Sequence, residues 1–303
     1  MFTVTTITSM QSDFQSGFVA LFGKPNAGKS TLLNALVGEK MAIVSPKVQT
    51  TRHRIKAFLN NDHYQIVFSD TPGIIEPKYK LHQKMMHQVK NALEDADIAL
   101  LLYDLTDPDL FEADDLFASL RLKVPAIVIC NKVDAVKPPL VKEAIKFFKE
   151  KSYVKEVIAI SAAQKSGLDG LIEKILKFLP IGMPFFDTED MSDLPTKFFV
   201  SELIREKIFE IFHEEVPYHT AVLVQEFKEK TTLIKIQADI IVHRETQKLI
   251  VIGEKGKMIK RLGTEARLEI EKFLEQKVFL ELFVKVRPKW RDDELKLREY
   301  GYQ

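Results

Sequence analysis

Eight consecutive residues, Gly23-Lys24-Pro25-Asn26-Ala27-Gly28-Lys29-Ser30, constrain this chain more than any other stretch. They have the form G-x-x-x-x-G-K-[ST], with an apolar run from Phe18 to Phe22 before them and a helix-periodic run from Thr31 to Leu36 after them. Strand, loop and helix in that order make an anion cradle. The glycines let successive backbone N–H groups point at one centre, and the helix starting near Lys29 adds the positive end of its dipole. A polyphosphate fits there, with Lys29 on its outer oxygens and the Ser30 hydroxyl as one ligand of a bridging magnesium ion. The loop alone does not choose between adenine and guanine.

The stretches that follow extend the site in order. Residues 41–54, which contain Gln49-Thr50-Thr51-Arg52, show no sustained period and read as a loop. Ile55 to Leu59 and Tyr64 to Phe68 alternate around Asn60-Asn61-Asp62, a hairpin signal. The second strand runs into Asp70-Thr71-Pro72-Gly73. An aspartate there can hold nucleotide-bound magnesium through water, and the glycine N–H can meet a terminal phosphate. After a helix over 81–96, a strand over 98–103, a helix around 114–122 and a strand over 126–130 comes Asn131-Lys132-Val133-Asp134. This tetrad favours guanine. The Asn131 amide meets the N7 edge, and the Asp134 carboxylate accepts from N1–H and the exocyclic amine, whereas adenine would leave Asp134 unpaired. The stem of Lys132 covers one face of the base. A helix over 140–151 and a strand over 157–160 then lead to Ser161-Ala162, small enough for backbone N–H groups to approach the guanine O6. A helix over 168–178 completes an α/β unit of the P-loop NTPase type, a mostly parallel sheet with helices on both faces.

At 303 residues the chain is long enough for two ordinary domains, and 46% hydrophobic with 29% charged residues is a globular composition. A formal charge of +1 gives no global signal for nucleic acid, so any basic surface is local. The lone Cys130 lies in an apolar run, which argues against disulfides and zinc. Residues 1–16 carry no Lys or Arg, lack the pattern of a secretory signal and read as a loose tail; the unit above spans 17–180. No apolar run is long enough for a membrane span. A linker follows at 181–194.

From 195 to 303 the pattern changes: an amphipathic helix with Phe198, Leu203, Ile204, Ile208 and Phe212, two strands over 220–227 and 233–242, then Ile252-Gly253-Glu254-Lys255-Gly256-Lys257-Met258-Ile259-Lys260-Arg261. The string I-G-x-x-G-x-x-I-K between helical segments is the signature of a KH domain. With a closing strand over 278–286 the order is that of an α+β type 2 KH domain, which binds single-stranded RNA. Gly253 and Gly256 let the loop approach a nucleic-acid backbone. Lys255, Lys257, Lys260 and Arg261 neutralise phosphates, and Glu254 sits among them. Beyond the strand, Lys289 and Arg291 flank Trp290, which either stacks on a base or packs on the domain. The 21 Lys and Arg against 19 Asp and Glu from Pro195 onward show that the charge is local.

Phosphate loop, Q-T-T-R, D-T-P-G, N-K-V-D and S-A in sequence resemble the translation-factor-related branch of small GTPases. Followed by the KH pattern, they resemble the bacterial Era family over roughly residues 17–300. The resemblance implies a GTPase, with GTP and GDP bound by residues 23–30, Asp70, Thr71, Pro72, Gly73, Ile74, Asn131, Lys132, Val133, Asp134, Ser161 and Ala162. It implies magnesium held by Ser30, Asp70 and either Thr50 or Thr51, and catalytic roles for Lys29, Gly73 and one of those threonines. Residues 41–54 and 73–82 would be the two switches. Asn26 either holds a potassium ion or only stabilises the loop. Ile74 stands where Ras-like proteins carry a water-orienting glutamine, so slow intrinsic hydrolysis is expected. The implied partners are the 3′ end of the small-subunit (16S) rRNA and the small ribosomal subunit during its maturation. A monomer in the cytoplasm is the default expectation, and the resemblance implies peripheral association at the inner face of the membrane. Two other readings stay open: an RNA-binding scaffold in which GTP is a structural ligand, and a membrane-surface switch.

Overall fold

The computed structural model describes residues 13–45, 47–107 and 109–302; residues 1–12 of the expected tail lie outside them. The first domain contains β1 (Gln15–Gly23), α1 (Lys29–Val37), β2 (Ile55–Asn60), β3 (Tyr64–Asp70), α2 (Lys80–Asp95), β4 (Ile98–Asp104), α3 (Leu110–Ser119), β5 (Ala126–Asn131), α4 (Pro138–Lys149), β6 (Val154–Ala159) and α5 (Leu168–Leu176). The strands form one sheet, ordered β2-β3-β1-β4-β5-β6, in which β2 alone runs antiparallel. Strands such as Ile98 to Leu102 are apolar throughout because helices bury both faces. From β1 the chain goes to β2 and β3 on one side and to β4 on the other. The crevice at its carboxyl end is therefore the topological switch point where α/β proteins bind ligands.

Three expectations shift here. Gln15 and Ser16 belong to β1, paired with Tyr64 and Gln65, and not to a tail. The helix expected around 114–122 starts at Leu110, because the Asp109 carboxylate accepts from the Glu112 N–H and caps it. The linker is an ordered strap on the sheet edge. Phe58 N–H donates to Met191 O at 2.9 Å, Gln65 Oε1 accepts from Phe185 and Phe186 N–H, and Phe186 stacks on Phe58 at 4.2 Å. Covering β2 in this way removes an open edge.

The second domain contains α6 (Thr196–Ile211), β7 (Ala221–Glu229), β8 (Ile234–Val242), α7 (Glu245–Ile252), α8 (Lys257–Leu274), β9 (Val278–Val286) and α9 (Glu294–Glu299). β7 pairs antiparallel and β9 parallel with β8, the arrangement expected of a type 2 KH domain. Val200, Leu203, Ile204 and Ile208 of α6 enter its core with Ile236, Ile240, Leu262 and Ile270. α6 is not amphipathic in the ordinary sense, because Glu202, Arg205 and Glu206 are buried as well. Their face meets the first domain. The chain end returns too: Trp290, Leu297, Tyr300 and Tyr302 form one apolar cluster with Leu81 and Met85 of α2. Among the described residues no helix is long and apolar enough to cross a membrane.

Candidate functional site

The phosphate loop closes the gap between β1 and α1 with backbone conformations that favour glycine. Gly28 has φ 98° and caps α1, and a Cβ there would lie 2.3 Å from Asn131 Nδ2. Gly23 approaches the Leu102 carbonyl so closely that a Cβ would meet it at 2.6 Å. Asn26 adopts φ 63°, a left-handed conformation that asparagine tolerates. Lys29 is buried, and its ammonium folds back to donate to the Gly23 and Lys24 carbonyls at 3.0 and 2.8 Å. Burial pushes its pKa down to about 8, against the opposing pull of Asp70. The Lys24 side chain leaves the cradle to pair with Asp107 and Glu112 at 2.8 and 2.5 Å.

Three oxygen-bearing side chains converge beside this loop. Ser30 Oγ donates to Asp70 Oδ2 at 2.6 Å and lies 2.8 Å from Thr51 Oγ1, which lies 3.3 Å from the same carboxylate oxygen. Asp70 is fully buried, its other oxygen Oδ1 has no hydrogen-bond partner, and desolvation raises its pKa. A hard divalent cation fits such a donor set, since two hydroxyls and a buried carboxylate with an orphaned oxygen match oxygen-ligand chemistry. Between Thr50 and Thr51 the placement differs sharply. Thr51 directs its hydroxyl into the cluster, whereas Thr50 offers its carbonyl to Arg205. Both line a cavity of about 310 Å³ together with Asn26, Lys29, Gly73 and Lys132.

The strings after β3 and β5 split into backbone braces and exposed groups. Thr71 donates to the Leu21 carbonyl at 2.6 Å, which ties β3 to β1 and keeps its side chain off the ligand. Gly73 packs on Pro25, where a Cβ would lie 2.8 Å from the loop backbone, while Pro72 carries the chain to it and the Ile74 side chain joins an apolar cluster. Asn131 is 2% exposed; its Nδ2 donates to Ala27 O at 2.9 Å and its Oδ1 accepts from Ala162 N–H at 3.0 Å. It thus laces three loops together with one amide hydrogen and its carbonyl oxygen. Lys132 has φ 69° and its ammonium pairs with Asp104 at 2.5 Å. Val133 N–H donates to Ile160 O, Asp134 is exposed on the next turn, and Ser161 Oγ caps Gln164 N–H at 3.0 Å.

In the second domain Gly253, Lys255 and Gly256 take φ 71°, 51° and 77°, and the loop turns α7 into α8. Glu254, Lys255, Lys257, Lys260 and Arg261 are exposed, with Arg261 paired to Glu265 at 2.7 Å. Leu249 and Ile250 beside the loop are 68% and 49% exposed. Sequence periodicity alone could not tell these from core residues. The reading of Trp290 as a stacking platform is corrected. Trp290 has no exposure, its Nε1 donates to His219 O at 3.0 Å, and its ring packs against Tyr300 and Tyr302. Arg291 is also drawn inward, its guanidinium lying 4.3 Å from the ring centroid of Tyr79 at the start of α2. Lys289 alone of the three is exposed.

Sequence reasoning missed the buried polar contacts at and beside the meeting of the two domains. Arg52, 2% exposed, donates to the carbonyls of Pro217, Tyr218 and Thr220. Arg205 pairs with Glu202 at 2.5 Å within α6. Gln49 Oε1 sits 3.1 Å from His82 Nε2, which joins the loop before β2 to α2. The one available signal was three charged residues interrupting the apolar surface of α6.

Comparisons with known proteins agree with this geometry. The family described as 50S ribosome-binding GTPase matches residues 18–132, and the KH domain family matches residues 215–291. The GTPase Era of Geotalea uraniireducens is 42% identical over 295 residues, covering 97% of this chain and 99% of that protein. The GTPase Era of Geobacter metallireducens is 44% identical over 292 residues, covering 95% and 98%. Among solved structures, an Aquifex aeolicus Era variant bound to GDP and aluminium fluoride superposes with a TM-score of 0.89 at 40% identity, covering 95% of this chain and 99% of that one. An Era protein in complex with MgGDPNP and nucleotides 1506–1542 of 16S ribosomal RNA gives the same TM-score, identity and coverage.

Proposed function

The chain belongs to the Era family of GTPases, and from that premise we propose that it binds and hydrolyses GTP and binds the 3′ region of 16S rRNA in small-subunit maturation. The observation that carries the reading is the meeting of Lys29, Ser30, Thr51 and Asp70 at one cavity, with Asp70 Oδ1 left unpartnered. Ser30, Thr51 and Asp70 would hold a magnesium ion, which supplies charge neutralisation between the phosphates. On nucleotide binding Lys29 exchanges two carbonyls for phosphate oxygens, and the Gly73 N–H meets the terminal phosphate. Asp134 selects guanine, and Asn131 holds the base loop against the phosphate loop.

Ile74 cannot orient water, so turnover is slow without a further contribution, and the potassium role of Asn26 belongs to the same question. The RNA site consists of the 253–256 loop with Lys255, Lys257, Lys260, Arg261 and Lys289. Loading with GTP changes its presentation, because 41–54 and the start of α2 both contact the second domain. RNA affinity measured at fixed salt with a 16S 3′-end oligonucleotide, in GDP and in a non-hydrolysable GTP analogue, tests this. A difference between the two states that disappears in Gly256→Asp supports it, and equal affinities refute the coupling. The partial burial of Ile74 against an apolar cluster favours a second reading, an RNA-binding scaffold with negligible turnover, which a turnover assay with and without potassium and RNA separates. Peripheral membrane association rests on the family resemblance, and flotation with anionic vesicles tests it.

A further inference from the structure

The loop over 41–54 is held along its length by a helix of the other domain. Glu206 Oε1 accepts from Val44 N–H at 3.1 Å, and its other oxygen pairs with Lys40 at 2.6 Å. Lys47 Nζ donates to the carbonyls of Phe209 and, at 2.5 Å, Phe212, the free acceptors at the carboxyl end of α6. Arg205 donates to the Thr50 carbonyl. This last contact is one peptide bond from the magnesium cluster. The Thr50 C=O and the Thr51 N–H share a rigid plane, so holding that carbonyl also holds the Thr51 N and Cα and leaves only φ and a stiff side-chain rotamer to aim the hydroxyl.

We propose that Arg205, carried by the second domain, is a positioning residue for the nucleotide site: by holding the Thr50 carbonyl it sets Thr51 Oγ1 against Ser30 and Asp70. The inference rests on the reading of Thr51 as the threonine that closes over magnesium and the terminal phosphate. The guanidinium suits the task because it is 1% exposed and locked from behind, with Nε and Nη2 donating to Glu202 at 2.8 and 2.5 Å. It cannot rotate away without stranding a buried charge. GDP makes no demand on Thr51, so Arg205 acts on the triphosphate state selectively. Val200, Leu203, Ile204 and Ile208 of the same helix sit in the RNA-binding domain's core, so displacement of α6 also displaces the Thr50 carbonyl.

The test uses the full chain with Arg205→Lys, which can serve Glu202 or Thr50 but lacks the fork, and with Lys47→Ala, which loosens the same loop without a buried change. Affinities for GDP and for a non-hydrolysable GTP analogue are measured across a magnesium titration. Hydrogen exchange of residues 47–54 is followed in the nucleotide-free protein. In Arg205→Lys the analogue affinity falls about tenfold with a raised magnesium requirement, and in Lys47→Ala about threefold, while GDP affinity stays within about twofold. Exchange over 47–54 accelerates in both. Unchanged analogue affinity and exchange in both variants overturn the proposal, as does an equal loss for GDP and the analogue. If Arg205→Lys does not fold, Glu202→Gln, which weakens the grip on the Arg205 guanidinium, takes its place and is judged by the same readouts. If the unaltered protein binds no guanine nucleotide, the nucleotide reading fails and the exchange measurement still decides whether α6 holds the loop.

Discussion

Replacing Trp290 separates a packing role from an RNA role. The indole is fully buried between the second domain and α2, beside Leu81, Met85, Leu297, Tyr300 and Tyr302. Trp290→Ala removes the largest side chain of that cluster, and such truncations cost about 3–5 kcal/mol from lost transfer and cavity terms. Trp290→Phe keeps most of the ring but strands the His219 carbonyl that now accepts from Nε1 at 3.0 Å, a loss of about 1–3 kcal/mol. Urea unfolding followed by far-UV circular dichroism gives both values. Fluorescence does not serve, because Trp290 is the only tryptophan. Under native conditions RNA affinity at fixed salt stays within about twofold in Trp290→Phe, since no base reaches the ring. Unchanged stability with an RNA affinity weakened by the ~1–3 kcal/mol of a lost stacked base would refute the reasoning.

Further outcomes follow from the same contacts. Lys29 loses its proton near pH 8 in the free site, and phosphate oxygens raise its pKa, so nucleotide affinity falls as pH rises above 8 and binding near that pH takes up protons; calorimetry in buffers of different ionisation enthalpy measures the uptake. His53, His82 and His219 are held near pKa 4 chiefly by burial, so they stay neutral in the folded chain while the unfolded chain protonates them near 6.5. Folding stability is therefore lost as pH falls from about 6.5 toward 4, by at most about 1.4 kcal/mol per unit for each histidine, and urea midpoints at pH 7 and pH 5 should differ in that sense. Gly73→Ala pushes a Cβ to 2.8 Å from the Pro25 backbone, and relieving that contact costs about 1–3 kcal/mol. Affinity for a GTP analogue, read by equilibrium titration, should drop roughly five- to a hundredfold.

Local chemistry explains what could be read without coordinates. The phosphate loop, the guanine tetrad and the G-x-x-G turn are short stretches whose glycines and side-chain types specify their own geometry, and the strands announce themselves by apolar runs or alternation. Helix ends were less legible, as α3 shows, because the Asp109 cap competes with apolar periodicity for the start. Partners distant in sequence were not legible at all. Nothing near Thr50 and Thr51 tells which one faces Ser30 and Asp70. That depends on Arg205, 155 positions away, and on Asp70 at the end of another strand. The same holds for Trp290, whose neighbours Lys289 and Arg291 suggest nucleic acid until α2 and the chain end close over it. The sequence by itself determined the P-loop GTPase fold with its KH domain and the expectation of guanine, since each is written in contiguous residues. Only the tertiary structure decided how the domains hold one another's loops, because buried charges such as Arg52, Glu202 and Arg205 become informative once the surfaces that desolvate them are known.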